Sequence, residues 1–367
     1  MLLKKLSLTL SIFFVSGCYN GDKTLIPRQP YTPEEVQEGY NISVKPKVDI
    51  LFVIDDSGSM GVAQDKVAKN VSLFTAAMNK NLFLDYQIGV ISTSFGNDGY
   101  SDYTKISGKL QGNPKIISRT TVDGLKKLET NIKNIGTMGS SSEKFFDPLQ
   151  IAIDPALNLN PGFLRSDAFF VLIIITDTKD QSEIASGFKV VNSLIGLKAY
   201  DFDRALAYGV MSYPNFFEDT CQQDDPQPDN LFNFMTMFTN AYNTKIGGGI
   251  SFTPTNVTIA PEFYKLSNVF SLCDPQFGQK LANIGEDIRI RVSQKIPLPV
   301  RPVDGTIKIK FGTQIVDPKW WKYDFGTNSI ILDPNADLDT TQPDAQLFVS
   351  MDVAAADSTL GKPPKVK

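Results

Sequence analysis

Residues 48–60 read V-D-I-L-F-V-I-D-D-S-G-S-M, and this stretch indicates both the fold and a candidate site. Its first seven residues are mostly apolar, as in a strand that is buried on both faces of a parallel sheet. Asp55, Ser57 and Ser59 follow at alternate positions. Open α/β sheets bind ligands beside the carboxyl ends of their strands, and one carboxylate with two hydroxyls suits a small hard cation such as Mg²⁺ or Mn²⁺. The alternative is an ordinary turn, which Asp, Ser and Gly also favour.

The residues after this strand alternate between helical and strand patterns. Apolar residues at helical spacing predict a helix over 61–80, and further strands are predicted over 86–91 and 169–175. Strands that alternate with helices indicate an α/β fold, in which a doubly wound, mostly parallel sheet carries helices on both faces. We predict this domain over 47–296, with residues 214–260 as an insertion because they break the alternation.

A second carboxylate follows the most apolar strand of the domain. The run 169–175 leads into Thr176, Asp177 and Thr178. Right-handed crossovers place the carboxyl ends of parallel strands at one edge of the sheet. We therefore expect Asp55 and Asp177 to lie within reach of one ion.

The C-terminal residues have a different character. Three prolines within 297–302 form a stiff connector, and 306–311 alternates between polar and apolar side chains as a half-exposed strand does. Further strand-like runs follow. We predict a small all-β domain over 297–367, close to the lower size limit for independent folding.

The N-terminus has the pattern of an export signal. Lys4 and Lys5 precede a short apolar stretch that is too short to span a bilayer. The stretch ends at Val15-Ser16-Gly17-Cys18, which resembles a bacterial lipobox. The resemblance implies a lipoprotein signal peptide over 1–17 and lipidation of Cys18. Residues 18–46 are rich in Pro, Gly and charge, and we predict a tether there.

Three cysteines are present, and two remain if Cys18 carries lipid. In an oxidising compartment such an even remainder indicates one disulfide between Cys221 and Cys273. Two buried free thiols are the alternative. Tyr19 follows Cys18 where an Asp would indicate retention at the inner membrane, so we expect a lipid-anchored protein of the cell envelope, on the outer membrane.

Composition excludes some classes of function. The chain has 367 residues, a net charge of −4 and no basic run, so it is poorly suited to bind nucleic acid. It contains no His, the commonest general base and transition-metal ligand. We therefore expect no enzymatic activity, although metal hydrolases that use only carboxylates exist.

The Asp55-x-Ser57-x-Ser59 motif, together with Asp177 after the apolar strand, resembles a von Willebrand factor type A domain. That family carries a metal-ion-dependent adhesion site made of Asp-x-Ser-x-Ser, a Thr from a later loop and a further Asp. The resemblance implies that Ser57 and Ser59 bind the ion directly, and that Asp55 and Asp177 act through water. It implies Mg²⁺, with Mn²⁺ or Ca²⁺ as alternatives.

The loop 135–143 is the expected source of the Thr. Thr137 follows Gly136, as the family's ligand often does, whereas counting back from the next helix indicates Ser140. We favour Thr137, because Gly-rich loops allow several registers. Ser140 and Glu143 also have the spacing of a helix capping box. Asp56 and Asp180 lie close by in sequence and are not first-choice ligands.

Two functions follow from the resemblance. The first is a metal-dependent adhesion protein, in which a Glu or Asp of a protein partner completes the coordination of the ion. The alternative is a structural subunit of a cell-envelope complex that uses the domain as a docking surface.

Overall fold

The computed structural model describes residues 36–79, 84–198, 201–211, 229–243, 268–272, 274, 276–333, 335–339 and 346–354. The predicted signal peptide, Cys18, Cys221, Cys273 and most of the 214–260 insertion lie outside these residues. Among the described helices, none is both long and apolar enough to cross a membrane.

The N-terminal and central parts of the chain alternate between strands and helices. The strands are β1 (Val36–Val44), β2 (Lys47–Ile54), β3 (Asp85–Ser92), β4 (Ile117–Ser118), β5 (Phe169–Thr176), β6 (Ala205–Met211) and β7 (Val269–Ser271). The helices are α1 (Gly61–Asn79), α2 (Gly124–Lys133), α3 (Phe146–Ile153), α4 (Gly187–Leu197), α5 (Asp229–Asn243) and α6 (Phe277–Gln294). The C-terminal strands are β8 (Lys295–Pro297), β9 (Lys308–Phe311), β10 (Gln314–Ile315), β11 (Trp321–Asp324), β12 (Ser329–Leu332) and β13 (Leu347–Ala354).

A six-stranded sheet forms the centre of the molecule, in the order β4-β3-β2-β5-β6-β7. Only β4 at one edge pairs antiparallel within this sheet. Alternate side chains of β2 point to opposite faces, so Ile50 and Phe52 pack with α1, α2 and α6, whereas Leu51 and Val53 pack with α3, α4 and α5. The predicted doubly wound α/β architecture is confirmed.

The tether prediction is wrong for residues 36–44, which form β1. This strand pairs antiparallel with β13, for example Ile42 with Val349 and Val44 with Leu347. Proline and charged residues nearby concealed the alternation of Tyr40, Ile42 and Val44, and the partner strand lies about 300 residues later in the sequence.

The strands that flank the central domain form two small antiparallel sheets, β1-β13-β9-β10 and β11-β12-β8, around a separate apolar cluster. We call these sheets the β module. Helix α6 continues directly into β8. There the buried Lys295 binds Asp201 at 3.0 Å and Asp203 at 3.0 Å, which attaches the β module to the turn before β6.

Helices α1 and α6 approach each other closely at Gly285. A Cβ at this position would lie 2.6 Å from the carbonyl oxygen of Phe74 and 3.2 Å from the Cβ of Ala77. The nearest of these atoms belongs to a helix backbone, which cannot move without shifting the whole interface. Gly285 is therefore required by packing and not by an unusual backbone angle.

We predict that Gly285→Ala lowers the free energy of unfolding by about 1–3 kcal/mol, because the extra methyl overpacks the helix interface. Gly196→Ala in α4 is the matched control, since a Cβ there meets no atom within 4 Å. Better helix propensity should make that variant more stable, by up to about 1 kcal/mol. Urea unfolding measures both. Equal stability of the two variants would contradict the packing argument.

Candidate metal centre

Asp55 directly follows β2 and is fixed in position by three hydrogen bonds. Its backbone N–H donates to the carbonyl of Ile175 at 3.0 Å, which joins the ends of β2 and β5. The backbone N–H of Ser57 donates to Oδ1 at 2.9 Å, and the hydroxyl of Thr176 donates to Oδ2 at 2.8 Å. The side chain is fully buried. In the described part of the chain, no Lys or Arg forms an ion pair with it.

The surroundings of Asp55 disfavour its charged form. The pKa of its carboxyl group is raised to about 6, mainly by burial and to a smaller extent by the nearby carboxylate of Asp177. The hydrogen bonds from Ser57 and Thr176 act in the opposite direction without cancelling the effect of burial. A cation beside Asp55 would offset this cost.

The two serines of the motif lie on a single 3₁₀ turn, Gly58–Met60, with Ser57 at its N-cap. The hydroxyl oxygens of Ser57 and Ser59 are 3.1 Å apart. Ser57 is buried and Ser59 is exposed. Two hydroxyls at this separation can contact one ion from the same side, and Ser59 leaves the position open to solvent.

The loop 136–140 lies against this turn. Gly139 donates its N–H to the carbonyl of Asp56 at 2.8 Å, and a Cβ on Gly139 would collide with the Asp56 carboxyl group. A Cβ on Gly61 would lie 3.9 Å from the Cγ2 of Thr137. Thr137 is thereby placed beside the Asp55–Ser59 turn.

Ser140 is held by other partners. Its hydroxyl donates to Asp98 Oδ2 at 2.7 Å, and its N–H donates to the Ser94 hydroxyl at 2.9 Å. The capping-box prediction for Ser140 and Glu143 is wrong, because α3 begins only at Phe146. The first N–H groups of α3 bind side chains from the loop after β5 instead.

Asp180 supplies this distant cap. Its Oδ1 accepts hydrogen bonds from the N–H groups of Phe145 at 2.7 Å and Phe146 at 3.2 Å. Asp56 is occupied as well, since Thr93 donates to its Oδ1 at 3.0 Å. Both carboxylates therefore have local structural roles.

The structure thus places Asp55, Ser57 and Ser59 on one turn, and Thr137 lies beside this turn. Asp177 is close enough to Asp55 to affect the pKa of its carboxyl group. Within the described ranges, no group of three or more His, Cys, Asp or Glu side chains could hold a metal ion. A cation at this place would therefore depend on hydroxyl oxygens. Such oxygens are suitable ligands for Mg²⁺ and similar hard cations.

Comparisons with known proteins give only a distant likeness. No family model matches the chain, and no curated protein matches it. Among solved structures, proximal thread matrix protein 1 from the mussel byssus is 11% identical with a TM-score of 0.37, over 71% of this chain and 51% of that chain. The pilus adhesin SpaC from Lactobacillus rhamnosus GG is also 11% identical with a TM-score of 0.37, over 91% of this chain and 43% of its own. This chain therefore spans about half or less of those structures, and similarity at this level carries no functional argument.

Gln64 is a site residue that the sequence analysis missed. Its side-chain Nε2 donates to the carbonyl of Asp55 at 2.7 Å and to the carbonyl of Gly136 at 2.6 Å. It therefore fastens the loop that carries Thr137 to the end of β2. Gln64 precedes Val67 by three positions on the buried face of α1, and a polar residue on that apolar stripe was the available signal.

We predict that Gln64→Leu lowers the free energy of unfolding by about 1–3 kcal/mol, because it removes the Gln64 donor from the buried carbonyl of Asp55 and from the half-buried carbonyl of Gly136. Hydrogen exchange of the Gly139 amide should accelerate more than exchange in the central strands, since the loop loses its attachment to α1. Gln279→Leu, at an exposed position of α6, is the control and should change neither quantity. Unaltered exchange at Gly139 in Gln64→Leu would contradict the proposed attachment.

We predict that Asp55→Asn stabilises the metal-free protein at pH 7.5 by about 1–3 kcal/mol. The reason is that Asn carries no charge, whereas the Asp55 carboxyl group, whose pKa is raised in the folded state, is buried in its charged form at this pH. The folded-state pKa of about 6 exceeds the ordinary value of 3.8. The contribution of Asp55 to stability is therefore fully present below about pH 4 and is lost as the pH rises through 6. The difference between variant and parent should accordingly be small at pH 4 and grow toward pH 7.5. Urea unfolding in EDTA across this range measures it, and a pH-independent difference would contradict the assignment.

Proposed function

We propose that residues 47–296 form a von Willebrand factor type A–like domain that binds protein partners through a divalent cation. Ser57, Ser59 and Thr137 would contact the ion, and Asp55 and Asp177 would act through water. The observation that supports this most is the buried Asp55 carboxylate, which among the described residues has only neutral hydrogen-bond donors and has a second carboxylate nearby.

Charge balance suggests what would complete the site. Three hydroxyls donate little negative charge, so a cation held by them stays electrophilic and leaves room for a Glu or Asp from another protein. The exposed Ser59 lies on the open side of the turn. Between Thr137 and Ser140, the position of Thr137 beside Gly61 supports Thr137, whereas Ser140 is engaged with Asp98.

We also propose that the mature protein is attached to the cell envelope through lipid on Cys18, on the outer membrane, and that Cys221 and Cys273 form a disulfide. These proposals rest on sequence alone.

An anchored protein that presents a cation to the partner would act as an adhesion protein. A structural subunit of an envelope complex would use the same surface without needing the ion.

The test uses Mn²⁺ as the probe ion and the relaxation of water protons as the readout. The chain should bind Mn²⁺ and keep at least one exchangeable water on it, and added acetate, a minimal carboxylate, should displace that water. Asp55→Ala and Ser57→Ala should each weaken Mn²⁺ binding at least tenfold while the circular dichroism spectrum is retained. Mg²⁺ should compete with Mn²⁺.

Ser141→Ala is the matched control, because Ser141 is exposed in the loop that carries Thr137. It should bind Mn²⁺ as the parent does. Equal affinity in Ser57→Ala and Ser141→Ala would refute the metal site. Normal Mn²⁺ binding without displacement of water by acetate would instead favour a structural ion and the envelope-subunit alternative.

A further inference from the structure

A second candidate site lies at the opposite edge of the central sheet. A cavity of about 240 Å³ opens between the end of α3, the loop 158–166 and the end of α4. This edge carries the amino ends of β2 and β5. Six residues of extended strand separate Asp49 here from Asp55, a distance of about 20 Å at ~3.3 Å per residue. The cavity is therefore separate from the candidate metal centre.

Lys198 lines this cavity and is almost completely buried, with 2% of its surface exposed. Its ammonium group donates one hydrogen bond, to the carbonyl of Arg165 at 2.9 Å. An ammonium group carries three donors, and no other hydrogen bond of the Lys198 ammonium group occurs in the part of the chain that the structure describes. Lysine is rarely buried without an anionic partner.

The neighbouring carboxylates are bound to other cations. Asp49 accepts from the Nε of Arg165 at 2.7 Å and from its backbone N–H at 2.7 Å. Asp167 binds Lys47 at 2.5 Å. Lys198 therefore has no carboxylate of its own within the described residues.

Other positive charges add to the potential around Lys198. Arg165 and Arg204 both lie near enough to act on it electrostatically, and the buried Nε of Arg204 has no hydrogen-bond partner among the described residues. Burial is the main reason that the pKa of Lys198 is lowered to about 8. Asp49 and Asp167 act in the opposite direction, whereas Arg204 and Arg165 act in the same direction as burial. A bound anion would restore the ordinary protonation of the group.

The walls of the cavity indicate the kind of anion. Ala152, Leu159, Leu164 and Leu197 provide apolar surface, while the negative charge of Asp154 in the lining opposes a multiply charged anion. The volume is below the ~300–1,000 Å³ typical of drug-sized ligand sites. The single available ammonium group matches a single carboxylate.

We infer that this cavity binds a small aliphatic monocarboxylate, with the carboxylate on the Lys198 ammonium group and the carbon chain against the leucines. This site is independent of the proposed metal centre. It assigns a role to a buried lysine that the adhesion function does not use.

The test titrates butyrate into the full mature chain by isothermal calorimetry, in EDTA and at pH 7. Butyrate should bind with a saturable isotherm. Butyramide, which has nearly the same shape without the charge, should bind at least tenfold more weakly. Inorganic phosphate should also bind more weakly than butyrate. Butyrate affinity should fall as the pH rises from 7 to 10, because Lys198 loses its charge.

Lys198→Met should reduce butyrate affinity at least tenfold, whereas Lys189→Met, at an exposed position of the same helix, should leave it unchanged. Leu159→Trp keeps the charge but fills the cavity, and it should also abolish binding. If Lys198→Met does not fold, Leu159→Trp still tests whether butyrate binds in this cavity. Absence of butyrate binding, equal binding of butyrate and butyramide, or unchanged binding in Leu159→Trp would each overturn the proposed carboxylate site. Loss of the Mn²⁺ site would leave this result unaffected, so the two proposals can fail separately.

Discussion

The hydrogen bond from the Asp55 amide to the Ile175 carbonyl is the constraint on which the candidate site depends. It extends the parallel pairing of β2 and β5 by one residue beyond the last apolar position, so both strands end at the same level. Thr176 can then reach the Asp55 carboxylate, and Asp177 lies beside it. Two negative side chains are thus forced into one buried corner. The hydroxyl-bearing turn and the loop held by Gln64 close around that corner, and this arrangement motivates the proposed cation.

The sequence predicted the central architecture because its signals are local and strong. A short apolar run such as Phe169–Thr176 favours a buried strand, and polar residues at the ends of such strands share an edge once the strands are parallel. The Met/Phe-rich segment 231–238 lies in α5, with Phe234 and Met235 buried. In each case the pattern within one element was sufficient.

Features that depend on distant partners could not be read from the sequence. The strand β1 forms by pairing with β13, which is distant in sequence, and the N-terminus of α3 is capped by Asp180 from another loop. The sequence shows that Gln64 is a polar residue on the apolar stripe of α1, but it does not show its two acceptors, one of which lies in the loop after α2. Lys198 gives no local sign of its burial. Tertiary contacts decide all four, and a single sequence does not record which residues meet.

The short connection between β1 and β2 determines how a pulling force would pass through the molecule. Residues 45–46 alone separate β1 from β2, so an uninterrupted covalent path runs from Val36 to Asp55. Tension applied between the N-terminal side of the chain and a ligand held at Asp55 would travel along these two strands. The backbone of the rest of the β module lies outside this covalent path and therefore carries no tension. Traction on the molecule would therefore load the ladder between β1 and β13 and the parallel ladder around β2, while the backbones of β8 to β12 would lie outside the path of the force.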